Sequence, residues 1–201
     1  MYDKELLESW CNGEDFGSYL ARQVPTEDYK ASVEENWRVR REYFDKVMKR
    51  ISYCKDLLKE HDDEYIYYAI AKLYDLYDLD ESKDLLFRRQ CRYYCIKAIR
   101  KKRSYAPAWA LLSEAYAWIG LLGGETAEIP NLRITVGDDS IEVNIKPRSQ
   151  AVQVYVEDIT IRCLEKAIRY ISRAIVIDPN NEEYQGIRKG YYYERNEECK
   201  I

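Results

Sequence analysis

The sequence is poor in residues that break helices and in residues that catalyse reactions. Its 201 residues include eight Gly, five Pro and one His, and so little Gly and Pro favours long helices joined by few loops. No apolar stretch approaches the roughly 20 residues that a membrane-spanning helix requires. The acidic N-terminal segment MYDKELLESWCNGEDF lacks the apolar core of a signal peptide. We therefore expect a cytoplasmic protein that has no membrane as its partner.

A strong net charge is also absent. The 32 basic and 36 acidic residues give a net charge of −4, whereas a dedicated nucleic-acid-binding domain is usually clearly basic. The composition thus argues against nucleic acid as the main partner. Hydrophobic residues make up 46% of the chain, which excludes a disordered protein and predicts a packed core.

Catalytic and metal-binding motifs are missing as well. The single histidine, His61, lies in the charged segment KEHDDEY and belongs to no catalytic triad motif. The six cysteines form no C-x-x-C pair. Cys91 and Cys95 lie one helical turn apart, but a structural zinc site needs about four donors. We therefore predict free thiols in the core, no enzymatic activity, no metal and no cofactor.

Aromatic and small residues, by contrast, recur at helical spacing. Trp109, Leu112 and Tyr116 have the spacing W-x2-L-x3-Y. Ala167 and Ala174 lie on a later helix, where small side chains let two antiparallel helices approach closely. The combination predicts a pair of closely packed helices.

An earlier, degenerate copy of the motif precedes this pair. Tyr67, Ile70 and Tyr74 stand at the same offsets from one another as the later tryptophan, leucine and tyrosine. The two copies resemble the tetratricopeptide-repeat (TPR) family, and the resemblance covers about residues 64–198. It implies a short α-solenoid of antiparallel helix pairs, which binds a protein or peptide in a groove lined by the first helix of each pair.

The second helix pair is interrupted by an insert at about residues 123–148. Two runs that alternate apolar and polar residues, Leu132–Val136 and Ile141–Ile145, flank a Gly-Asp turn and predict a β-hairpin. The glycines within residues 120–124 are predicted to end the preceding helix. Residues 149–157 fit either a third strand or an early start of the following helix.

The fold class is therefore mainly α, a short TPR-like α-solenoid with an inserted β-hairpin. Residues 1–60 are predicted to be N-terminal helices that pack on the solenoid, with a turn at Asn12–Gly13 between two short helices. A long helix then runs from about Pro25 to Lys59, and residues 61–201 form the interrupted repeats. Seven apolar residues at steps of three, four and seven are predicted to form the buried face of the long helix. They are Val33, Trp37, Phe44, Val47, Ile51, Cys54 and Leu58.

The resemblance also indicates which residues line the groove. Six side chains of the predicted first helices are candidates for peptide binding. They are Tyr65, Tyr68, Lys72, Asp75, Glu114 and Trp118. Ala110 and Ala117 lie on the same predicted helix faces. The sequence thus predicts a non-enzymatic scaffold or adaptor that binds a protein or peptide partner through this groove and the hairpin insert.

Two other functions remain open at this stage. The basic segment Arg100–Arg103, which is flanked by tyrosines, fits an RNA- or DNA-associated repeat protein. The free edge of the hairpin fits a structural subunit that self-associates into a homo-oligomer.

Overall fold

The described part of the chain is mainly helical. The computed structural model describes residues 2–13, 29–76, 84–127, 131–136, 139–144 and 150–198. Within them, seven helices and two strands follow one another. They are α1 (Lys4–Cys11), α2 (Tyr29–Leu57), α3 (Glu64–Asp75), α4 (Asp84–Lys101), α5 (Ala106–Ala127), β1 (Asn131–Val136), β2 (Asp139–Asn144), α6 (Gln150–Ile177) and α7 (Glu182–Glu198).

Capping side chains fix the starts of three helices. Asp3 accepts a hydrogen bond from a backbone N–H in the first turn of α1, and Asp63 and Asn181 do the same for α3 and α7. Each cap satisfies one of the N–H groups that a helix start leaves without an intrahelical partner. After the end of α1, Gly13 adopts φ 63°, a conformation that glycine reaches without steric cost. The second short helix predicted beyond this turn, and the predicted helix start at Pro25, lie outside the described residues.

The helices pack both with their neighbours along the chain and with the helix after next. From α2 onward each helix contacts the following one, and α3 also contacts α1 and α5. Tyr191 of α7 interacts with the hydroxyl of Ser113 in α5. Contacts therefore connect α1, α3, α5 and α7 in series.

The described residues form two hydrophobic clusters that meet at the sequence motif. The first joins α1 to α5 around the fully buried Ile66 and Leu73. The second joins α5, α6 and α7 around the fully buried Ile171. Trp109 and Tyr116 pack against both clusters, so the two large aromatics of the motif connect one part of the core to the other.

The buried face of α2 differs from the predicted one at its N-terminal end. Trp37 is 57% exposed, whereas Val39 and Tyr43 are buried. The guanidinium of Arg40 lies 5.7 Å from the centroid of the Trp37 ring, which covers one side of the indole. The prediction of a buried Trp37 is therefore wrong. Trp37 and Phe44 are seven residues apart and therefore lie on one side of α2, which differs from the side of Val39 and Tyr43. Apolar character alone does not decide which of these two sides meets the core.

Helix α5 runs on to Ala127, so the prediction that the glycines within residues 120–124 end it is wrong. Gly120 instead lies at a contact with α6. A Cβ atom at this position would lie 2.8 Å from Cβ of Cys163, closer than two such atoms can approach. Across the same contact, Thr160 Oγ1 donates a 3.2 Å hydrogen bond to the Gly120 carbonyl. The absence of a side chain at Gly120 allows the two helices to pack this closely.

Strands β1 and β2 lie between α5 and α6 in the chain. They pair antiparallel, with Ile134 opposite Ile141. Because α5 extends into the region assigned to the insert, at about 123–148, the connection between α5 and α6 begins later than predicted and spans residues 128–149. Helix α6 includes residues 150–157, which excludes the alternative of a third strand there.

Candidate functional site

The six candidate residues lie on one face, to which α3, α5 and α7 all contribute. Asp75 and Lys72 of α3 act on the pKa of Glu114 in α5, and Glu114 acts on that of Tyr191 in α7. Side chains from three helices are thus within electrostatic reach of one another. We call this surface the α3–α5–α7 face, formed by the six candidates together with Arg88 and Tyr191.

One end of the face is aromatic and largely buried. The ring centroids of Tyr65 and Tyr68 lie 6.3 Å apart, and Tyr68 meets Tyr105 edge to face at 5.3 Å. The ammonium of Lys4 in α1 lies 5.2 Å from the Tyr65 centroid. Burial raises the pKa of Tyr65 to about 12 and that of Tyr68 still further. Because so little of Tyr68 faces water, this end belongs mainly to the core.

The other end is a connected group of charges that reaches an exposed tryptophan. Asp75 accepts from Lys72 Nζ at 3.2 Å and from Arg88 Nη1 at 2.5 Å. The Arg88 and Asp75 side chains are only 10% and 11% exposed. The guanidinium of Arg88 then lies 5.0 Å from the ring centroid of Trp118, and Trp118 is 46% exposed. A salt bridge and a cation–π contact thus fix the position of a large aromatic surface that faces solvent.

Glu114 is the one carboxylate of the face without an ion pair within the described part of the chain. Burial is the main cause of its raised pKa, the charge on Asp75 raises the pKa further, and Lys72 opposes the shift. For Lys72 itself, burial lowers the pKa, but Asp75 and Glu114 outweigh that effect and the pKa is raised. Lys72 therefore stays charged, while the charge on Glu114 is only partly compensated.

The remaining two residues of the predicted helix faces do not line this surface. Ala110 and Ala117 are 5% and 6% exposed and belong to the cluster that joins α5, α6 and α7. The expectation that they lie in the groove is therefore wrong. Their small side chains instead allow neighbouring helices to approach α5.

Arg88 is the functional candidate that the sequence prediction missed. It lies on α4, a second helix of a predicted pair, and only first helices were expected to contribute. A signal existed, since Arg88, Cys91 and Cys95 have the spacing i, i+3, i+7, and both cysteines are fully buried. An arginine in phase with a buried stripe needs a carboxylate partner, which in this chain is Asp75.

The basic segment Arg100–Arg103 is half neutralised. Lys101 forms an ion pair with Asp62, and Lys102 Nζ lies 3.1 Å from Glu64 Oε1. These pairs tie the end of α4 to the start of α3. The observation weakens the alternative that this segment binds RNA or DNA.

The other side chains with reactive groups, among them His61 and Cys54, pack against neighbouring residues. The rings of His61 and Tyr2 lie 5.5 Å apart, and burial raises the pKa of Cys54 to about 12. In the portion of the chain that the structure describes, no group of three or more His, Cys, Asp or Glu side chains could hold a metal ion. No helix in that portion has both the length and the apolar character needed to cross a membrane.

Comparisons with protein-family models, with curated proteins and with solved structures find no match to this chain.

Proposed function

We propose that the chain is a non-enzymatic scaffold of TPR-like helix pairs that binds a protein or peptide segment through the α3–α5–α7 face. The contacts of α1 with α3 and of α3 with α5 support this proposal, since alternate helices meet when successive helix pairs stack into a solenoid. On this interpretation α1 and α2 are a further pair, joined by the contact of Trp10 with Tyr53 at 5.6 Å. Helix α7 then caps the last pair.

The observation that carries the proposal is the environment of Trp118. Tryptophan is enriched among the residues that dominate binding energy at interfaces, and such residues are most effective when they are held rigidly. Trp118 is half exposed, and its ring rests on Arg88, which Asp75 holds in place. A partner that covers this ring would bury apolar surface without first having to order the side chain.

The charges on the face favour a partner segment that combines an apolar side chain with a cation. The apolar side chain would pack on Trp118, and the cation would pair with Glu114. Lys72 and Arg88 already share Asp75, so an anionic group on the partner would compete with that carboxylate. We therefore propose a segment with a Lys, an Arg or an N-terminal amine next to an apolar residue.

The test uses two matched tryptophans of this chain. A displayed library of random peptides is selected on the wild-type protein, and the affinity of the selected peptides is then measured for Trp118→Ala and Trp37→Ala. Trp37 is a fitting control because it is 57% exposed and also has an arginine over its ring, at 5.7 Å. Helical circular dichroism of each variant checks the fold.

We expect selected peptides to contain a basic residue beside an apolar one and to bind Trp118→Ala at least about tenfold more weakly, a loss of about 1.4 kcal/mol. The affinity for Trp37→Ala should be unchanged. Equal affinity for Trp118→Ala and the wild type would contradict the assignment of this face.

We also propose that the β1–β2 hairpin is a second contact for the partner. It follows directly on α5, the helix that contains Glu114 and Trp118. Replacement of residues 128–149 by a short Gly-Ser linker should weaken peptide binding and leave the helical signal intact. If the hairpin instead pairs with a second copy of the chain, light scattering will give a mass that rises with protein concentration and falls to the monomer value in the shortened variant.

A further inference from the structure

The side of the molecule formed by α4 and α6 has a concentration of positive charge that the net charge of −4 hides. Residues 89–101 contain five Lys or Arg and no acidic residue, and residues 160–177 contain four Lys or Arg and one acidic residue, Glu165. Two cations of these segments, Arg92 and Lys166, lie over one aromatic ring, and a third, Arg169, lies in the same segment of α6 and opposes the rise that burial causes in the pKa of Tyr170. We call this region the α4–α6 surface, defined by these three cations together with Tyr93, Tyr116 and Tyr170.

Cations from both helices converge on a single ring. The guanidinium of Arg92 in α4 lies 5.7 Å from the centroid of Tyr116, and the ammonium of Lys166 in α6 lies 5.3 Å from the same centroid. The Tyr116 ring in turn lies 5.3 Å from that of Tyr170, which lies 5.8 Å from Trp109. Of these rings, Trp109 and Tyr116 pack against both hydrophobic clusters. The ring that Arg92 and Lys166 contact is therefore fixed in position by the core.

Cations of α4 and α6 also act on the same two side chains of α6, Cys163 and Tyr170. Burial raises the pKa of Cys163, and both Lys166 and Arg92 oppose that rise. Burial also raises the pKa of Tyr170, opposed by Arg169 and again by Arg92. A cation on α4 thus adds to the positive potential at two groups on α6.

In the described ranges, Arg92, Lys166 and Arg169 have no carboxylate within the 4 Å of an ion pair. They differ in this respect from Lys101 and Lys102, which are neutralised by acids near the start of α3. A group of cations that is held together without acidic partners favours the binding of an anion.

Tyr93 follows Arg92 in α4, and its ring is open to solvent. Tyr93 is 50% exposed, and the ammonium of Lys97 lies 5.5 Å from its centroid. Tyr93 also meets Tyr94 edge to face at 5.1 Å, which fixes its orientation. An acidic peptide would require the cations but no exposed ring, whereas a nucleic-acid strand uses both, the cations for phosphates and the ring for a base.

We propose that the α4–α6 surface binds single-stranded nucleic acid, with Arg92, Lys166 and Arg169 at the phosphates and Tyr93 stacked on a base. The proposal is independent of peptide binding by the α3–α5–α7 face. It also differs from binding by the segment Arg100–Arg103, half of which is neutralised.

The test is fluorescence anisotropy of a labelled oligouridylate of about 12 nucleotides with the full chain, over a range of salt concentrations. Wild type is compared with Arg92→Gln/Lys166→Gln, and with the control Arg41→Gln/Lys49→Gln, which makes the same change of charge at exposed positions of α2. We expect the first double variant to bind at least about tenfold more weakly and to reduce the slope of log K against log salt by about 1.4, or about 0.7 for each lost phosphate contact. The control should bind like the wild type.

A second pair of variants separates stacking from charge. Tyr93→Leu should weaken binding about fivefold or more, since stacking on an aromatic ring contributes about 1 kcal/mol or more for each base. Tyr93→Phe should retain the wild-type affinity. Circular dichroism shows that each variant is folded.

Three results would overturn the proposal. The first is no binding of the oligouridylate at low salt. The second is an equal loss of affinity in the Arg92/Lys166 and Arg41/Lys49 variants, which would indicate nonspecific attraction. The third is competition by polyglutamate at the same charge concentration as effectively as by unlabelled oligouridylate, which would assign the surface to an acidic protein segment.

Discussion

Replacement of Gly120 by alanine is expected to destabilise the protein through the contact between α5 and α6. The added Cβ would lie 2.8 Å from Cβ of Cys163, 3.4 Å from the Thr160 carbonyl oxygen and 3.6 Å from the Thr160 Cα. None of these atoms is the end of a flexible side chain. Relief of the clash therefore requires that the two helices move apart.

Three contributions set the magnitude. Alanine in a helix interior is favoured over glycine by about 0.8–1.0 kcal/mol. Overpacking of a close contact costs about 1–3 kcal/mol, and loss of the buried bond from Thr160 to the Gly120 carbonyl costs about 0.5–1.5 kcal/mol. The net effect of Gly120→Ala is then a destabilisation of about 2 kcal/mol, or a fall in Tm of about 4–8 °C for a chain of this length.

The assay is urea unfolding followed by far-ultraviolet circular dichroism, with matched glycine controls on α7. A Cβ at Gly186 or at Gly190 would meet nothing within 4 Å, so Gly186→Ala and Gly190→Ala should stabilise the protein by up to about 1 kcal/mol. The background Cys163→Gly removes the atom that clashes and should reduce the effect of Gly120→Ala, whereas Cys163→Ala keeps that atom and should not. If Gly120→Ala stabilised the chain as the two controls do, the close approach of α5 and α6 would be refuted.

Three further predictions concern the charges and thiols. The pKa of Glu114 is raised in the folded protein. The contribution of this carboxyl group to stability is therefore most favourable below its ordinary pKa of about 4.3, and it is lost as the pH rises through the higher pKa of the folded state. Glu114→Gln should therefore be more stable than the wild type at pH 7, with the difference gone below about pH 4 in urea titrations. Asp75→Ala leaves Arg88 buried without its carboxylate, and the free energy of unfolding should fall by about 3–5 kcal/mol; a loss below about 1 kcal/mol would show that solvent already screens the pair. The buried Cys54, with a pKa of about 12, should react with a thiol reagent at pH 8 only after addition of denaturant, and rapid labelling of the native chain at this residue would contradict its burial.

Periodicity predicted where the helices lie better than it predicted which side each helix buries. The position of α2 follows from its repeating apolar residues and ends within a few residues of the prediction. Its buried side could not be assigned in full, because Trp37 and Val39 lie two positions apart, on nearly opposite sides of the helix, and only the packing against α3 selects between them. Tryptophan also tolerates exposure when a cation such as Arg40 covers one side of its ring.

The roles of Gly120 and Arg88 depend on the neighbouring helix that each of them contacts, and the sequence does not show that contact. A glycine near the end of an apolar helix is typical of a helix terminus, and the sequence around Gly120 offers no sign that Cys163 lies against it. That the candidates on α3 share one side of their helix could be predicted from helical periodicity, whereas their role in binding stays a prediction. The contribution of Arg88 could not be predicted, because it depends on how the start of α4 meets Asp75 at the end of α3.

The charges of the α3–α5–α7 face are more readily explained by binding than by stability. Lys72 and Arg88 both contact Asp75, so these three groups keep one net positive charge. Glu114 brings the sum of the four charges to zero, but within the described residues it does so without a direct ion pair of its own. Glu114 adds a half-buried carboxylate whose raised pKa means that its ionisation opposes folding at neutral pH. Residues that are unfavourable for the isolated fold are concentrated at functional sites. A partner cation placed against Glu114 would lower that pKa again, so binding of the partner and ionisation of Glu114 would stabilise each other. Peptide affinity should then increase as the pH rises through the Glu114 pKa, and this increase should be absent in Glu114→Gln.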